Sequence, residues 1–272
     1  MAHGSSFQKF ASDILQILHG LPWTMHIRGM DQIMRSVGLE PAAGQQKLYH
    51  NHLMEVMGVM DIPAFTLGRQ TPTLNIWNQN CHAEGAYGQA RRSEVESMSG
   101  LPRSMLDIFA KTVSYTTESD FWDWPGAHGS YAELQLWEAY RLAGILSLRQ
   151  ARAIGSENNK APLSNSMLVA RICSCLDAIY RASQSTEETD KAAMNAIIYP
   201  SVIAGLMVEA MNLRPEWKGI IRKCVQRDSN ERNLGEQNRL LLTLLEELWE
   251  RDDPSVNVNA LLLQRGSELS LL

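Results

Sequence analysis

The stretch SDFWDWPGAHGSY, residues 119–131, together with the apolar run that follows it, decides how this sequence is organised. Its three large rings, Phe121, Trp122 and Trp124, are costly to expose to water, so a core or a pocket must cover them. The proline and glycine that come next turn the chain, which lets the rings fold back onto whatever follows. We therefore expect this stretch to form a corner of the core that can also wall a cavity.

The residues after this corner carry a helical period. One helix face collects large apolar and aromatic side chains, namely Tyr131, Leu134, Trp137, Tyr140 and Leu148. Similar stripes recur along the chain, and convincing strand alternation is absent. Glycine and proline interrupt these stripes often enough to give about eight or nine helices. The sequence thus predicts an all-α fold, an orthogonal array of helices around one core with an apolar cavity, in a single domain over residues 1–272.

Three local signals refine that arrangement. Ser104 with Asp107 resembles a capping box and predicts a helix start. Pro200 interrupts an apolar run and predicts either a bend that opens a cavity or a plain helix break. Residues 75–100 are polar, glycine-bearing and aperiodic, which predicts a mobile loop.

Composition excludes several classes of function. The formal net charge is -5, and the basic clusters are too short for a phosphate-backbone binder, so we expect no direct DNA binding by this chain. Four cysteines without a C-x-x-C pair indicate neither a disulfide scaffold nor a zinc site. No apolar run reaches the roughly 18 residues of a membrane span, and a cytoplasmic location is the expectation. P-loop, dinucleotide and H-E-x-x-H motifs are absent, so no cofactor and no metal is predicted.

What remains is an inventory of 7 Trp, 7 Tyr and 13 Met, which suits an apolar ligand cavity as well as an ordinary core. The candidates for polar or proton-transfer work are His82, Tyr199 and Asn195, of which His82 lies beside a thiol and a carboxylate in CHAE. The candidate ligand-binding residues are His26, Arg28, Phe121, Trp122, Trp124, Tyr131, Trp137 and Tyr140. The expected partner is a hydrophobic small molecule, and the sequence leaves a homodimer open.

Six segments in a fixed order carry a family resemblance: WTMHIRGM from Trp23, DIPAFTLGR from Asp61, GLPRSMLDIF from Gly100, LWEAYRLAGILSL from Leu136, IYPSVIAGLMVE from Ile198 and LEELWER from Leu245. Through them most of the chain resembles the C-terminal regulatory domain of fungal zinc-cluster transcription factors, in the second of the fungus-specific domain families. The resemblance implies an all-helical domain that responds to ligands or partners. The six-cysteine zinc cluster of that family is absent, and the helices that usually precede the H-x-R-G segment have no counterpart.

Two functions follow from the resemblance and the residues together, beside a third possibility, a helical interaction protein whose contact face is residues 240–249. The first is a stand-alone relative that binds a hydrophobic, natural-product-like molecule and catalyses a cofactor-free cyclisation or isomerisation of the Diels-Alderase type in secondary metabolism. Such a step needs mainly a shaped cavity and a few hydrogen bonds. The alternative is a non-enzymatic, ligand-responsive regulatory domain of a zinc-cluster transcription factor, which would place the protein in the nucleus.

Overall fold

A computed structural model of the chain describes residues 22–36, 45–81, 94–111, 115–152, 163–184, 193–194, 196–226 and 232–272, without the side chains of residues 45–49 and 232–234. The described residues are mainly helical. The helices are α1 (Trp23–Ser36), α2 (Gln45–Met60), α3 (Arg103–Ala110), α4 (Glu118–Trp122), α5 (Tyr131–Arg152), α6 (Asn165–Ala182), α7 (Ile198–Gly205), α8 (Val208–Leu213), α9 (Pro215–Val225), α10 (Arg232–Arg251) and α11 (Val258–Gln264). A 3-10 turn (Pro63–Phe65), a π-helical turn (Trp77–Cys81) and two short antiparallel strands, β1 (Thr66–Leu67) and β2 (Leu269–Ser270), complete the described elements.

The predicted all-α fold is confirmed. Short helices such as α4, α8 and α11 add to the about eight or nine that the sequence predicted, because segments of five to seven residues carry too little periodicity to be recognised. No described helix is long and apolar enough to cross a membrane.

Helix α5 forms the centre of the core. It packs against α4, α6 and α7, and most of its residues between Leu136 and Leu148 are buried. The first turn departs from the predicted apolar face, because Tyr131 is 62% exposed and Leu134 is 44% exposed. The helix has entered the core by Leu136 and stays there for three turns.

Helix α7 is enclosed on all sides, and every one of its residues is buried. It packs against α5, α6, α9 and α10. Pro200 is the third residue of this helix, where its missing N–H removes no intrahelical hydrogen bond. The apolar run is thus divided by a plain start at Ile198 and by a break at Leu206 and Met207, not by a bend at the proline.

The segment between α2 and the π-helical turn is ordered by one buried carboxylate. Asp61 is 2% exposed and accepts hydrogen bonds from Arg69 Nη2 at 2.6 Å, from Thr73 Oγ1 at 2.7 Å and from the backbone N–H of Leu74 and Ile76. Arg69 also donates to the carbonyl of Asp61. These hydrogen bonds therefore fix the backbone conformation that places the 3-10 turn and β1 against the core.

Helix α3 begins at Arg103, next to Pro102, and Ser104 does not cap it. Ser104 Oγ accepts a hydrogen bond from Trp124 Nε1 at 3.0 Å, and Asp107 Oδ1 accepts one from Trp77 Nε1 at 2.9 Å. The two residues that resembled a capping box thus accept hydrogen bonds from tryptophan indoles. Two residues three apart on a helix lie on the same face, so the same spacing suits both roles.

Within the segment predicted as a mobile loop, the described ends have defined structure. Residues Trp77–Cys81 form the π-helical turn, and Val95 pairs with Pro102 in an isolated antiparallel bridge. The stretch 82–93 lies outside the described residues.

Candidate functional site

A cavity of about 690 Å³ opens between the central helices and the C-terminal part of the chain. One side is formed by the 3-10 turn, β1 and α3, and another by α4 and the second half of α5. Residues of α7 and α8 with Leu248 of α10 supply apolar surface, and residues 253–259 supply the polar part of the mouth. A volume of this size lies within the range of small-molecule sites.

An aromatic cluster lies under the apolar wall. Phe109 and Phe121 meet edge to face with ring centroids 5.1 Å apart. Tyr199 meets Phe109 in the same manner at 5.5 Å and stacks on Tyr140 at 5.1 Å, while Phe65 closes the cluster. Edge-to-face and offset pairs are the favoured arrangements of aromatic rings, so this wall is rigid.

Gly144 on α5 lets the Phe121 ring approach the helix backbone. A Cβ atom at this position would collide with Phe121 ring carbons. Both residues line the cavity, so the shape of this wall depends on the absence of a side chain at Gly144.

The cavity floor contains a pair of hydroxyl groups. Ser147 Oγ and Tyr199 Oη are 3.0 Å apart, and both residues line the cavity. Tyr199 has 0% exposed surface, so it lies directly behind the floor, whereas Ser147 is partly exposed. Burial raises the pKa of Tyr199 well above its ordinary value, so the phenol stays protonated.

The direction of this hydrogen bond follows from the partners available. Ser147 is the only described side chain with which the Tyr199 hydroxyl pairs, and a buried phenol proton needs an acceptor. Either hydroxyl could be the donor in this pair, and donation from Tyr199 to Ser147 Oγ is the arrangement that gives the buried phenol proton an acceptor. Ser147 makes no second hydrogen bond within the described part of the chain, so its own proton is free to be donated to a ligand.

Charges along the wall are few. Among the described residues that line the cavity, Lys111 and Asp253 are the ones with acidic or basic side chains. Lys111 Nζ is paired with Asp120 Oδ1 at 2.6 Å, and this hydrogen bond lowers the pKa of Asp120 to about 2. Asp253 is fully exposed at the mouth, where its carboxylate accepts from the N–H and the hydroxyl of Ser255. The lining is thus mainly apolar, and the Ser147–Tyr199 pair shares it with the polar side chains of Thr66, Thr116 and Gln150.

The aromatic residues predicted to bind a ligand have different positions. Phe121 lines the cavity, and Tyr140 lies behind Tyr199, with its hydroxyl donating to the carbonyl of Ala196 at 2.8 Å. Trp137 is buried, and Trp124 meets it edge to face at 6.5 Å. Both tryptophans lie apart from the described lining.

The remaining predicted ligand residues also lie away from the described lining. The Trp122 ring is partly exposed under the guanidinium of Arg141, at 5.5 Å. Tyr131 is exposed to solvent at the start of α5. His26 and Arg28 lie partly exposed on α1. The FWDWPG corner therefore contributes one ring to the cavity wall and two rings to core and surface packing.

Of the three predicted catalytic residues, Tyr199 lies at the cavity floor. His82 and Asn195 lie outside the described residues. Among the described residues, no group of three His, Cys, Asp or Glu side chains could hold a metal ion.

The buried thiols are poor nucleophiles. Desolvation raises the pKa of Cys173 to about 12 and those of Cys175 and Cys224 to about 11. A thiolate is the reactive form, so these three side chains behave as core residues.

Comparison with models of protein families, with curated proteins and with solved structures found no match for this chain. The site is therefore interpreted from its own geometry.

Sequence reasoning missed the polar residues of the cavity. Ser147 is the one hydroxyl residue in the apolar helical segment LAGILSL. That isolated polar position was the signal that could have indicated a role for Ser147. Asn257 and Asn259 gave no comparable signal. They reach the cavity because β2 pairs with β1 and α11 packs against β1.

Proposed function

We propose that this chain binds an apolar, natural-product-sized molecule in the 690 Å³ cavity and catalyses its cofactor-free cyclisation or isomerisation. The observation that carries the proposal is the combination of a rigid apolar wall with one supported hydroxyl donor, Ser147, at the floor. Such a site can fold a flexible molecule and polarise one oxygen of it.

The chemistry needs no atom from outside the substrate. The aromatic wall holds the substrate in a compact conformation, which can contribute several kcal/mol by reducing the entropic cost of reaching the transition state. Ser147 donates a hydrogen bond to a substrate carbonyl, and negative charge that develops on that oxygen is stabilised in a water-poor site. Tyr199 acts as a positioning residue, since its proton on Ser147 Oγ directs the serine proton towards the cavity. Substrate and product have equal mass.

The test is turnover with sub-stoichiometric protein. Apolar fungal extracts are incubated with the purified chain and followed by chromatography with mass detection. A new compound of unchanged mass that accumulates past one protein equivalent is the expected result. Depletion that stops at one equivalent, with the bound compound recovered unchanged, would contradict catalysis.

Two variants assign the chemistry to the hydroxyl pair. Ser147→Ala should lower kcat about a hundredfold, because it removes the only proposed donor to the reacting oxygen. Tyr199→Phe should lower kcat about tenfold with KM little changed, because the ring and its packing remain. Ser174→Ala is the matched control, since that serine is exposed on α6 and bonds only its own helix at Ala170. An equal loss of kcat in Ser174→Ala would contradict the assignment of the chemistry to the hydroxyl pair.

A regulatory domain is the second proposal, and one observation favours it. The cavity mouth belongs to the same C-terminal stretch that ends in β2. A ligand that contacts residues 253–259 would therefore also affect the pairing of β1 with β2. This proposal predicts binding without turnover. It agrees with the proposed relationship to the regulatory domains of fungal zinc-cluster transcription factors.

A further inference from the structure

The cavity mouth carries two amide side chains whose orientation is fixed by backbone hydrogen bonds. Asn257 Oδ1 accepts from the N–H of Ala260 at 3.0 Å, and Asn259 Oδ1 accepts from the N–H of Gly68 at 2.9 Å. A backbone N–H can bond only to the oxygen of an amide side chain, so the assignment of oxygen and nitrogen is not arbitrary. Both residues line the cavity.

This arrangement leaves the two amide nitrogens as the unpartnered groups, while each Oδ1 keeps one lone pair beside the bond that it already accepts. Each Nδ2 carries two N–H groups, and neither nitrogen has a partner among the described residues. Ser147 at the floor is likewise left with a proton to donate. The two asparagines therefore accept hydrogen bonds from the protein and offer donors to whatever occupies the mouth.

The charges at the mouth disfavour an anionic occupant. Lys111 is already paired with Asp120, and Asp253 would repel an anion. A carbonyl, lactone or ether oxygen accepts hydrogen bonds without carrying a charge.

We infer that Asn257 and Asn259 form a specificity element for neutral molecules with an oxygen acceptor at the outer end of an otherwise apolar body. The inference rests on the proposed function, since it concerns the same cavity. The class of ligand is a carbonyl-bearing or ether-bearing apolar compound rather than a pure hydrocarbon or a carboxylic acid.

The experiment uses a pair of probes that differ in one atom group. Acetylnaphthalene and isopropenylnaphthalene, substituted at the same ring carbon, have nearly the same shape, but the first presents an oxygen where the second presents a methylene group. The dissociation constants of both probes are measured by calorimetry on the full chain. The quantity of interest is their ratio, because it cancels effects that the two probes share.

The variant Asn257→Asp/Asn259→Asp converts both free donors into acceptors without a change of shape. The retained oxygens still accept from Ala260 and Gly68, and aspartate is as good a helix cap as asparagine, so folding should be preserved. Gln264→Glu adds the same kind of charge to α11 at an exposed position outside the described lining and serves as the control.

We expect the ratio to shift about tenfold in favour of isopropenylnaphthalene in the double variant, and to stay unchanged in Gln264→Glu. An unchanged ratio in the double variant would overturn the inference and leave the binding cavity intact. Failure of both probes to bind the unmodified chain would overturn the proposed function together with the inference.

Discussion

Gly144 shows how a single residue shapes the proposed site. The ring of Phe121 occupies the space where any other residue would place its Cβ atom. Phe121 in turn packs edge to face on Phe109, so a displacement at Gly144 propagates along the cavity wall. The side-chain atoms that define the cavity are therefore sensitive to one methyl group on α5.

Gly144→Ala should destabilise the chain by about 1–3 kcal/mol, because an added methyl group overpacks a rigid aromatic wall. The measurement is urea denaturation. Gly219→Ala on α9 is the matched control, since no atom lies within contact distance of a Cβ at that position. That control should be neutral or stabilising by about 0.5–1 kcal/mol. Similar destabilisation by both substitutions would contradict the close approach of Phe121.

Thiol reactivity tests the burial of the three core cysteines. At about pH 8, Cys173, Cys175 and Cys224 should not react with a thiol reagent in the folded chain, because burial raises each pKa from 9.0 to between about 11 and about 12. Raised pKa values also mean that these groups oppose folding as the pH rises above about 9, where the unfolded chain ionises first. Cys81 is partly exposed and should react.

Mass spectrometry measures this reactivity as the number of modified thiols per chain. One label per folded chain and four after denaturation are expected. Cys81→Ser should leave the folded chain unlabelled. Rapid labelling of more than one thiol in the native state would show that the core around α6 and α9 is open.

At the scale of elements, the segments that carried the family resemblance contact one another. Trp137 Nε1 donates to the carbonyl of Gly100, and Trp249 Nε1 donates to the carbonyl of Gly205, both at 2.8 Å. Asp61 pairs with Arg69 within one segment. These residues fix the positions of helices relative to one another, so their presence in the sequence is explained by packing. They do not line the cavity among the described residues.

Asp61→Asn should destabilise the chain by about 3–5 kcal/mol, because it leaves the buried Arg69 guanidinium without its charged partner. Asp61 and Arg69 are both largely buried, with side chains 2% and 13% exposed. The matched control is Asp177→Asn, which breaks the exposed pair with Arg181 on α6 and should cost less than about 1 kcal/mol. The melting temperatures of the two variants are compared by thermal unfolding. Equal melting temperatures would refute the role of Asp61 in ordering this segment.

For the whole molecule, periodicity was enough to predict an all-helical chain, because amphipathic stripes are local. An apolar cavity was predicted, but most of its lining could not be, because its walls come from positions as distant as Thr66, Phe121, Tyr199 and Asn259. Only the tertiary arrangement brings them together. The FWDWPG corner shows what the sequence can and cannot predict. The burial of its rings follows from composition, but the neighbouring helix decides which ring faces the cavity.

The central claim is that the cavity is a binding site for apolar molecules, and a blocking substitution tests it most directly. Ala151 lines the cavity from an exposed position at the end of α5, so Ala151→Trp fills the space without disturbing the core. Ala260→Trp places the same side chain on α11 at an exposed position outside the described lining and serves as the control. The probe is the fluorescent ketone Prodan, titrated to saturation against each form of the chain.

We expect saturable binding of one Prodan per chain, lost or weakened at least about tenfold in Ala151→Trp and unchanged in Ala260→Trp. Both variants should melt like the unmodified chain, since both positions are exposed. Undiminished binding by Ala151→Trp would place the probe elsewhere on the molecule and contradict the assignment of the cavity as the site.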